Sequence, residues 1–131
     1  MPEFNEPLLS WVLLVARCCI AAIFVVSGIH KAVWYSKAVE EWRLAGAPRF
    51  TLPLTILLHI SGSLALISGL YAREAAIALA VFVLMATILV HNFWAMNGME
   101  KLIHSRAALA NLGVIGGLLL LAAVGPGKLI L

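Results

Sequence analysis

Charged side chains are scarce in this chain of 131 residues: only 11% of its positions are charged, and it contains no aspartate. An ordinary soluble domain carries about 25% charged residues. The chain is instead 63% hydrophobic, and so much apolar surface cannot be buried inside so short a chain, so lipid has to cover it. This composition excludes a soluble globular domain and predicts an integral membrane protein.

Cysteine is almost absent. Cys18 and Cys19 are the only two, and they are neighbours inside the first apolar segment. Successive side chains of a helix diverge by about 100°, so a disulfide between them would be strained. We interpret them as small packing or lipid-facing residues.

Motifs for catalysis are missing as well. The sequence has no phosphate-binding loop, no Ser-His-Asp set and no paired carboxylates inside an apolar segment. No cysteine or carboxylate accompanies the intramembrane histidines, which argues against a metal site. The nine Lys and Arg residues exceed the six glutamates, but in a membrane protein such a surplus is typical of cytoplasmic loops near anionic lipid rather than of nucleic-acid binding. We therefore predict no catalytic residue, no metal and no nucleic-acid partner.

Four apolar segments cover residues 8–33, 52–70, 75–94 and 107–124, and each approaches the length of about 20 residues that one helical crossing needs. None alternates polar and apolar residues as a barrel strand would. The chain is therefore predicted to be all-α, a four-helix membrane bundle of antiparallel up-down topology that forms a single domain over residues 1–131. Only four residues separate the second and third segments, which predicts a tight hairpin.

The two other connections differ from each other. Residues 34–51 mix charged and apolar side chains, which predicts a short interfacial helix. Residues 97–106 are read as a short polar connection. The N-terminus lacks the basic region of a signal peptide, so the first apolar segment is expected to remain as the first span.

Basic residues outside the spans predict the orientation. The connections between spans one and two and between spans three and four hold Lys31, Lys37, Arg43, Arg49, Lys101 and Arg106, whereas the opposite side holds Arg73 and Lys128. Because cytoplasmic loops carry the excess of Lys and Arg, the chain is predicted to lie in the cell membrane with both termini outside and the longer connections in the cytoplasm.

Small residues indicate where helices approach closely. Gly113 and Gly117 form a GxxxG pattern in the fourth span. Close packing within one chain is the simpler interpretation, and a homo-oligomer through these two glycines is the alternative.

Ionisable and polar residues inside spans are costly and are functional candidates by default. The candidates for a ligand-binding pocket are Arg17, Lys31, His59, His91 and Asn111. Arg17 is expected near the middle of the bilayer, and the other four lie in the half of the bundle that holds the longer connections. Each has an ordinary explanation too: Arg17 could bind backbone carbonyls, and His91 could be solvated at the interface. Two histidines on neighbouring helices could ligate a haem, but their depths differ, and we do not expect one.

The order of these features resembles the DoxX family of small four-helix membrane proteins. The matching segments are Arg17, Ser27-Gly28-Ile29-His30-Lys31, Ala45-Gly46-Ala47-Pro48, Gly69-Leu70-Tyr71-Ala72-Arg73, His91-Asn92-Phe93-Trp94 and Ala110-Asn111-Leu112. One position departs from the family, which often has a glutamate where this chain has His59. A carboxylate there could pair with Arg17, whereas histidine leaves Arg17 without a counter-charge.

The resemblance implies a link to quinone- and thiol-related redox systems of the membrane. It leads to the hypothesis of an accessory subunit without independent activity, whose polar pocket binds a quinone or a lipid head group near redox partner proteins. A ligand-free scaffold for assembly is the alternative. A small transporter is disfavoured, because the chain shows neither an internal repeat nor a broken helix.

Overall fold

The computed structural model describes residues 5–131 and builds them into helices and connecting turns. The α-helices are α1 (Glu6–Val33), α2 (Tyr35–Leu44), α3 (Thr51–Ser68), α4 (Ala72–Val90) and α5 (Gly98–Val124), and a single 3-10 turn, Phe93–Ala95, follows α4. The described residues contain no strand. Residues 1–4, which the predicted domain includes, lie outside this range.

Four of these helices are long and apolar enough to cross a membrane: α1, α3, α4 with its following turn, and α5. The prediction of an all-α membrane bundle with four spans is therefore confirmed. The short α2 is the exception, with charged side chains along its outer face. There Arg43 contacts Glu40 at 2.6 Å, and this hydrogen bond holds the pKa of the Glu40 carboxyl below its usual value.

The ends of the spans follow from local chemistry. The side chain of Asn5 accepts the backbone N–H of Leu8 at 2.9 Å, which caps the start of α1. Gly69 ends α3 with a φ of 86°, a left-handed conformation that glycine adopts at little cost. The hairpin between α3 and α4 is consequently only three residues long, Gly69 to Tyr71.

Each membrane-spanning helix packs mainly against the membrane-spanning helices that are its neighbours along the chain. α1 packs chiefly on α3, α3 also contacts α4, and α4 packs on α5, whereas the contact between α1 and α5 is small. Gly28 permits the close approach of α1 to α3, since a Cβ there would lie 2.9 Å from Ile60 Cδ1 and 3.1 Å from His59 Cβ. The buried core between the four spans is built from Phe24, Leu66, Leu79, Leu118 and Leu121, with small alanines between them.

The two glycines of the GxxxG pattern face different surroundings. A Cβ on Gly117 would meet Ile20 of α1 at 3.4 Å, so this glycine serves packing within the chain. A Cβ on Gly113 would meet nothing within 4 Å. Of these two glycines, Gly113 is therefore the one that is open to a neighbouring molecule.

The last span begins earlier than expected. The predicted spans 8–33, 52–70 and 75–94 correspond to α1, α3 and α4, but α5 starts at Gly98 instead of residue 107. The supposed polar connection at 97–106 is therefore mostly helix, because Met99, Lys101 and Leu102 are good helix formers. At 27 residues, α5 is roughly 40 Å long, which exceeds the ~30 Å hydrocarbon layer and leaves its charged first turns at the interface.

The C-terminal segment after α5, residues 125–131, folds back along the bundle. The backbone N–H of Leu131 donates to the carbonyl oxygen of Ser68 at 2.8 Å, and Lys128 forms an ion pair with Glu6 at 3.2 Å. The segment thus occupies the space beside the first turns of α1, which the shorter α3 leaves uncovered.

Candidate functional site

A cavity of about 360 Å³ lies in the half of the bundle next to α2, and all five helices contribute to its wall. We call it the polar cavity. It brings together four of the five predicted site residues, namely Lys31, His59, His91 and Asn111. The remaining lining side chains that matter for its chemistry are Ser27, Glu41, Trp42 and Phe82.

His59 of α3 has unsatisfied hydrogen-bonding capacity. The residue is only 3% exposed, and within the described residues neither ring nitrogen has a hydrogen-bond partner. A neutral imidazole carries one donor and one acceptor nitrogen, and a buried polar atom without a partner costs about 1–3 kcal/mol. Buried polar groups are otherwise nearly always paired. His59 is therefore the residue in this cavity that most directly indicates a ligand.

The surroundings of the His59 ring are aromatic. The ring makes an edge-to-face contact with Phe24 of α1, with the ring centres 5.3 Å apart, and another with Phe82 of α4, with the centres 4.8 Å apart. Such edge-to-face contacts are favourable and fix the plane of the imidazole. A flat molecule bound next to His59 would thus find aromatic side chains as well as a hydrogen-bonding nitrogen.

The charges at the cavity cancel. Lys31 Nζ donates to Ser27 Oγ, one helical turn earlier, at 2.5 Å. Glu41 lines the same cavity from α2, so the wall holds one cation and one anion. The site is therefore close to electrically neutral, which favours an uncharged polar group over an anion such as phosphate.

His91 is held by a residue that the sequence analysis did not select. Its Nδ1 lies 2.9 Å from Nδ1 of His104 on α5, so one ring donates a hydrogen bond to the other, in the direction that their tautomers set. Asn111 is likewise engaged, with Nδ2 donating to Thr87 Oγ1 at 3.0 Å. His104 was missed because residues 97–106 were read as a loop; on a helix that starts at Gly98 it faces the end of α4.

Arg17 does not line the polar cavity, which corrects the expectation that it belongs to the same site. Its side chain is fully buried and donates to backbone carbonyls: Nη1 to Pro126 at 3.0 Å, and Nη2 to Leu129 at 2.7 Å and Ile67 at 3.4 Å. The ordinary interpretation, an arginine bound to main-chain oxygens, is the one that this geometry favours.

The pairing considered between Arg17 and a carboxylate at position 59 also fails on geometry. Arg17 contacts Ile67 near the end of α3, whereas residue 59 lies eight positions earlier on that helix. At 1.5 Å per residue, the two points are about 12 Å apart along the axis. The lack of a carboxylate at His59 therefore does not deprive Arg17 of a partner.

A second cavity of about 500 Å³ adjoins the first between α3, α4 and the α2–α3 connection. We call it the apolar cavity. Its wall is formed mainly by Ala47, Pro48, Leu54, Leu58, Met85 and Leu89. Both cavities share the lining residues Trp42, Ala45, Phe82, Ala86 and Val90. No group of three or more His, Cys, Asp or Glu in residues 5–131 is arranged to hold a metal ion.

Comparisons with known proteins agree with this architecture. The DoxX family model matches residues 12–92 of the chain. The inner membrane protein YqjF of Escherichia coli K12 is 37% identical over 114 residues, which cover 87% of this chain and 84% of the relative. The inner membrane protein YphA of the same organism is 25% identical over 119 residues, or 89% and 85% of the two chains. No solved structure matches the chain.

Proposed function

This chain belongs to the DoxX family of membrane proteins, and we propose that it binds the head group of a quinone in the polar cavity as an accessory subunit of a membrane redox system. The observation that carries the proposal is the buried His59, whose two ring nitrogens have no partner among the described residues. Both named relatives are inner membrane proteins, which supports a location of this chain in the corresponding membrane.

The chemistry of the cavity suits a quinone ring. Its carbonyl oxygens accept hydrogen bonds, and a neutral His59 can donate one from either ring nitrogen. Phe24 and Phe82 contact the imidazole in edge-to-face geometry and offer apolar contact to a flat ring. The volume of about 360 Å³ falls in the range of ligand pockets, about 300–1,000 Å³.

The neutral balance of Lys31 and Glu41 supports an uncharged head group. A phosphate would gain from Lys31 but would be repelled by Glu41 on the facing helix. A phospholipid head group is therefore the less favoured occupant, and it becomes one of the outcomes of the test.

The binding experiment uses the whole chain in nanodiscs of phosphatidylcholine and a short-chain quinone, ubiquinone-1, as the probe. His59→Phe should weaken binding by about tenfold or more, because the loss of one good hydrogen bond to a buried group is worth about 1.4 kcal/mol or more. His30→Phe is the matched control, since His30 is an exposed histidine near the end of α1 that does not line the cavity.

Two results would overturn this proposal. The first is a wild-type protein that shows no saturable binding of ubiquinone-1. The second is phosphatidylglycerol bound in the cavity that ubiquinone-1 does not displace, which would assign the cavity to a lipid head group. The accessory role has its own test: the purified chain alone should reduce no quinone, whereas membranes lacking the chain should reduce added quinone more slowly until the wild-type gene, but not His59→Phe, is restored.

A further inference from the structure

The polar and apolar cavities share part of their walls but differ in chemistry. Five residues line both, and the side chains of Trp42 and Phe82 are the largest of them. The polar cavity presents His59, Lys31 and Glu41, whereas the apolar cavity is walled mainly by aliphatic side chains from α3 and α4. A ligand that fills both would need one polar end and one hydrocarbon end.

The polar atoms at the apolar cavity are already used by the protein. Trp42 Nε1 donates to Thr51 Oγ1 at 2.8 Å, Thr51 Oγ1 donates to the carbonyl of Pro48 at 2.6 Å, and Thr55 Oγ1 donates to the carbonyl of Thr51 at 2.9 Å. None of these side chains leaves a donor free for a ligand. This cavity therefore offers a ligand mainly dispersion contacts and no free side-chain donor, which suits a hydrocarbon chain.

The outer rim of the apolar cavity faces the bilayer. Leu54, Met85 and Leu89 line it and are 56%, 56% and 63% exposed, so in a membrane their outer surfaces lie against lipid. A chain that passed between these side chains would emerge directly among lipid tails. The polar end, in contrast, is lined by residues of all five helices.

We propose that the two cavities form one site for a single amphiphile, whose head group lies against His59 and whose hydrocarbon chain runs past Trp42 through the apolar cavity into the bilayer. This inference rests on the proposed function, because it takes the quinone head group proposed for the polar cavity and adds a hydrocarbon chain to it. The hydrogen bond to Thr51 fixes Trp42 as the side wall along which the chain passes.

The test compares a quinone without a chain, ubiquinone-0, with decylubiquinone, which carries the same ring and ten carbons. Met85→Trp fills the apolar cavity and leaves the polar cavity unchanged, since Met85 lines only the former. Leu84→Trp is the matched control: Leu84 is the preceding residue, is 50% exposed and lines neither cavity. All proteins are measured in the same nanodiscs, so partition of the probes into lipid is common to each.

Met85→Trp should weaken decylubiquinone binding by about fivefold or more, the smaller end of what overfilling a packed site causes, while ubiquinone-0 binding stays within twofold of wild type. Leu84→Trp should change neither. Leu89→Trp, on the same rim, provides a second variant should Met85→Trp elute as an aggregate.

If wild type, Met85→Trp and Leu89→Trp bind decylubiquinone with equal affinity, the inference is overturned and the head-group site stays intact. Loss of ubiquinone-0 binding together with decylubiquinone binding in Met85→Trp would also overturn it, because the two cavities would not then act separately. Failure of the wild type to bind either probe would instead refute the proposed function itself.

Discussion

Arg17 in the first span donates a 2.7 Å hydrogen bond to the carbonyl oxygen of Leu129, and so ties the beginning of the bundle to the end of the chain. A second bond, to Pro126 at 3.0 Å, reaches the same C-terminal segment. The carbonyls are free to accept because α5 has ended at Val124, beyond which the backbone has no helical partners. Arg17 therefore anchors residues 125–131 and has no contact with the polar cavity.

Arg17→Leu should release the C-terminal segment without changing quinone binding. Leucine is accepted by lipid and by the core, but it cannot donate to Pro126 or Leu129, and hydrogen bonds to a charged group are worth about 1.5–3 kcal/mol each. In a background with Cys18→Ala and Cys19→Ala, a cysteine introduced as Leu129→Cys should react with a water-soluble maleimide about tenfold faster or more when Arg17 is leucine.

Arg17→Lys is the informative companion variant. Lysine keeps the charge but lacks the planar fork that reaches several acceptors at once. The labelling rate of Leu129→Cys should therefore lie between the rates measured with arginine and with leucine at position 17. Equal labelling rates for all three proteins would contradict the anchoring role. A loss of ubiquinone-1 binding in Arg17→Leu would instead return Arg17 to the ligand site.

Gly69→Ala should destabilise the protein more than Gly46→Ala. Both glycines have a positive φ, 86° and 75°, so alanine costs about 1–2 kcal/mol at either position. At Gly46 a Cβ would meet nothing within 4 Å, whereas at Gly69 it would lie 2.5 Å from Arg17 Nη1 and 2.7 Å from Ile130 Cδ1. Thermal unfolding in detergent should show the larger fall in midpoint for Gly69→Ala.

A change at position 17 tests whether Arg17 causes the difference between Gly69→Ala and Gly46→Ala. In an Arg17→Leu background the difference between the two alanine variants should shrink, because the guanidinium that the new Cβ displaces is gone. An unchanged difference would mean that Ile130 or the hairpin backbone is responsible.

The spans could be predicted from sequence because the membrane requires long apolar helices, and α1, α3 and α4 follow the apolar segments closely. The start of α5 could not, since its first turns are charged and look like a loop although their residues favour helix. His104 was overlooked for that reason. Its contact with His91 depends on the two helix ends meeting across the turn at Phe93–Ala95.

The candidate site was foreseeable only in part. Lys31, His59, His91 and Asn111 fall together because they occupy the same half of an up-down bundle, a relation that depth along each span already implies. Two of the three carbonyl partners of Arg17 lie 109 and 112 positions away in the chain, and no periodicity indicates that the C-terminal segment folds back. The place of Trp42 in the cavity wall could not be predicted either, because its position depends on the path of the α2–α3 connection.

The orientation of the bundle remains a prediction from the six-to-two excess of basic residues on the side of the longer connections. A periplasm-active reporter fused to the C-terminus should be active, and a cytoplasm-active one silent. Fusions after Glu74, in the first turn of α4 beside the α3–α4 hairpin, should agree with the C-terminal ones. The reverse pattern would place the polar cavity in the outer half of the membrane.

His59→Phe should leave the ligand-free protein as stable as wild type or raise its free energy of unfolding by about 1–2 kcal/mol, because it removes two buried polar atoms that have no partner. Phenylalanine is close to histidine in shape, and the rings of Phe24 and Phe82 already surround this position. Thermal unfolding in detergent without added quinone measures the effect, and His59→Leu repeats it without an aromatic ring.

Added ubiquinone-1 should then make wild type more stable than His59→Phe. A ligand that binds only the folded state stabilises it by RT ln(1 + [L]/Kd), so wild type should gain about 2.7 kcal/mol at a concentration of one hundred times Kd, while His59→Phe should gain far less. If His59→Phe and His59→Leu both unfold well below wild type in the absence of quinone, the imidazole stabilises the fold itself. In that case His59 would be a structural residue, and the quinone site would lose the observation on which it rests.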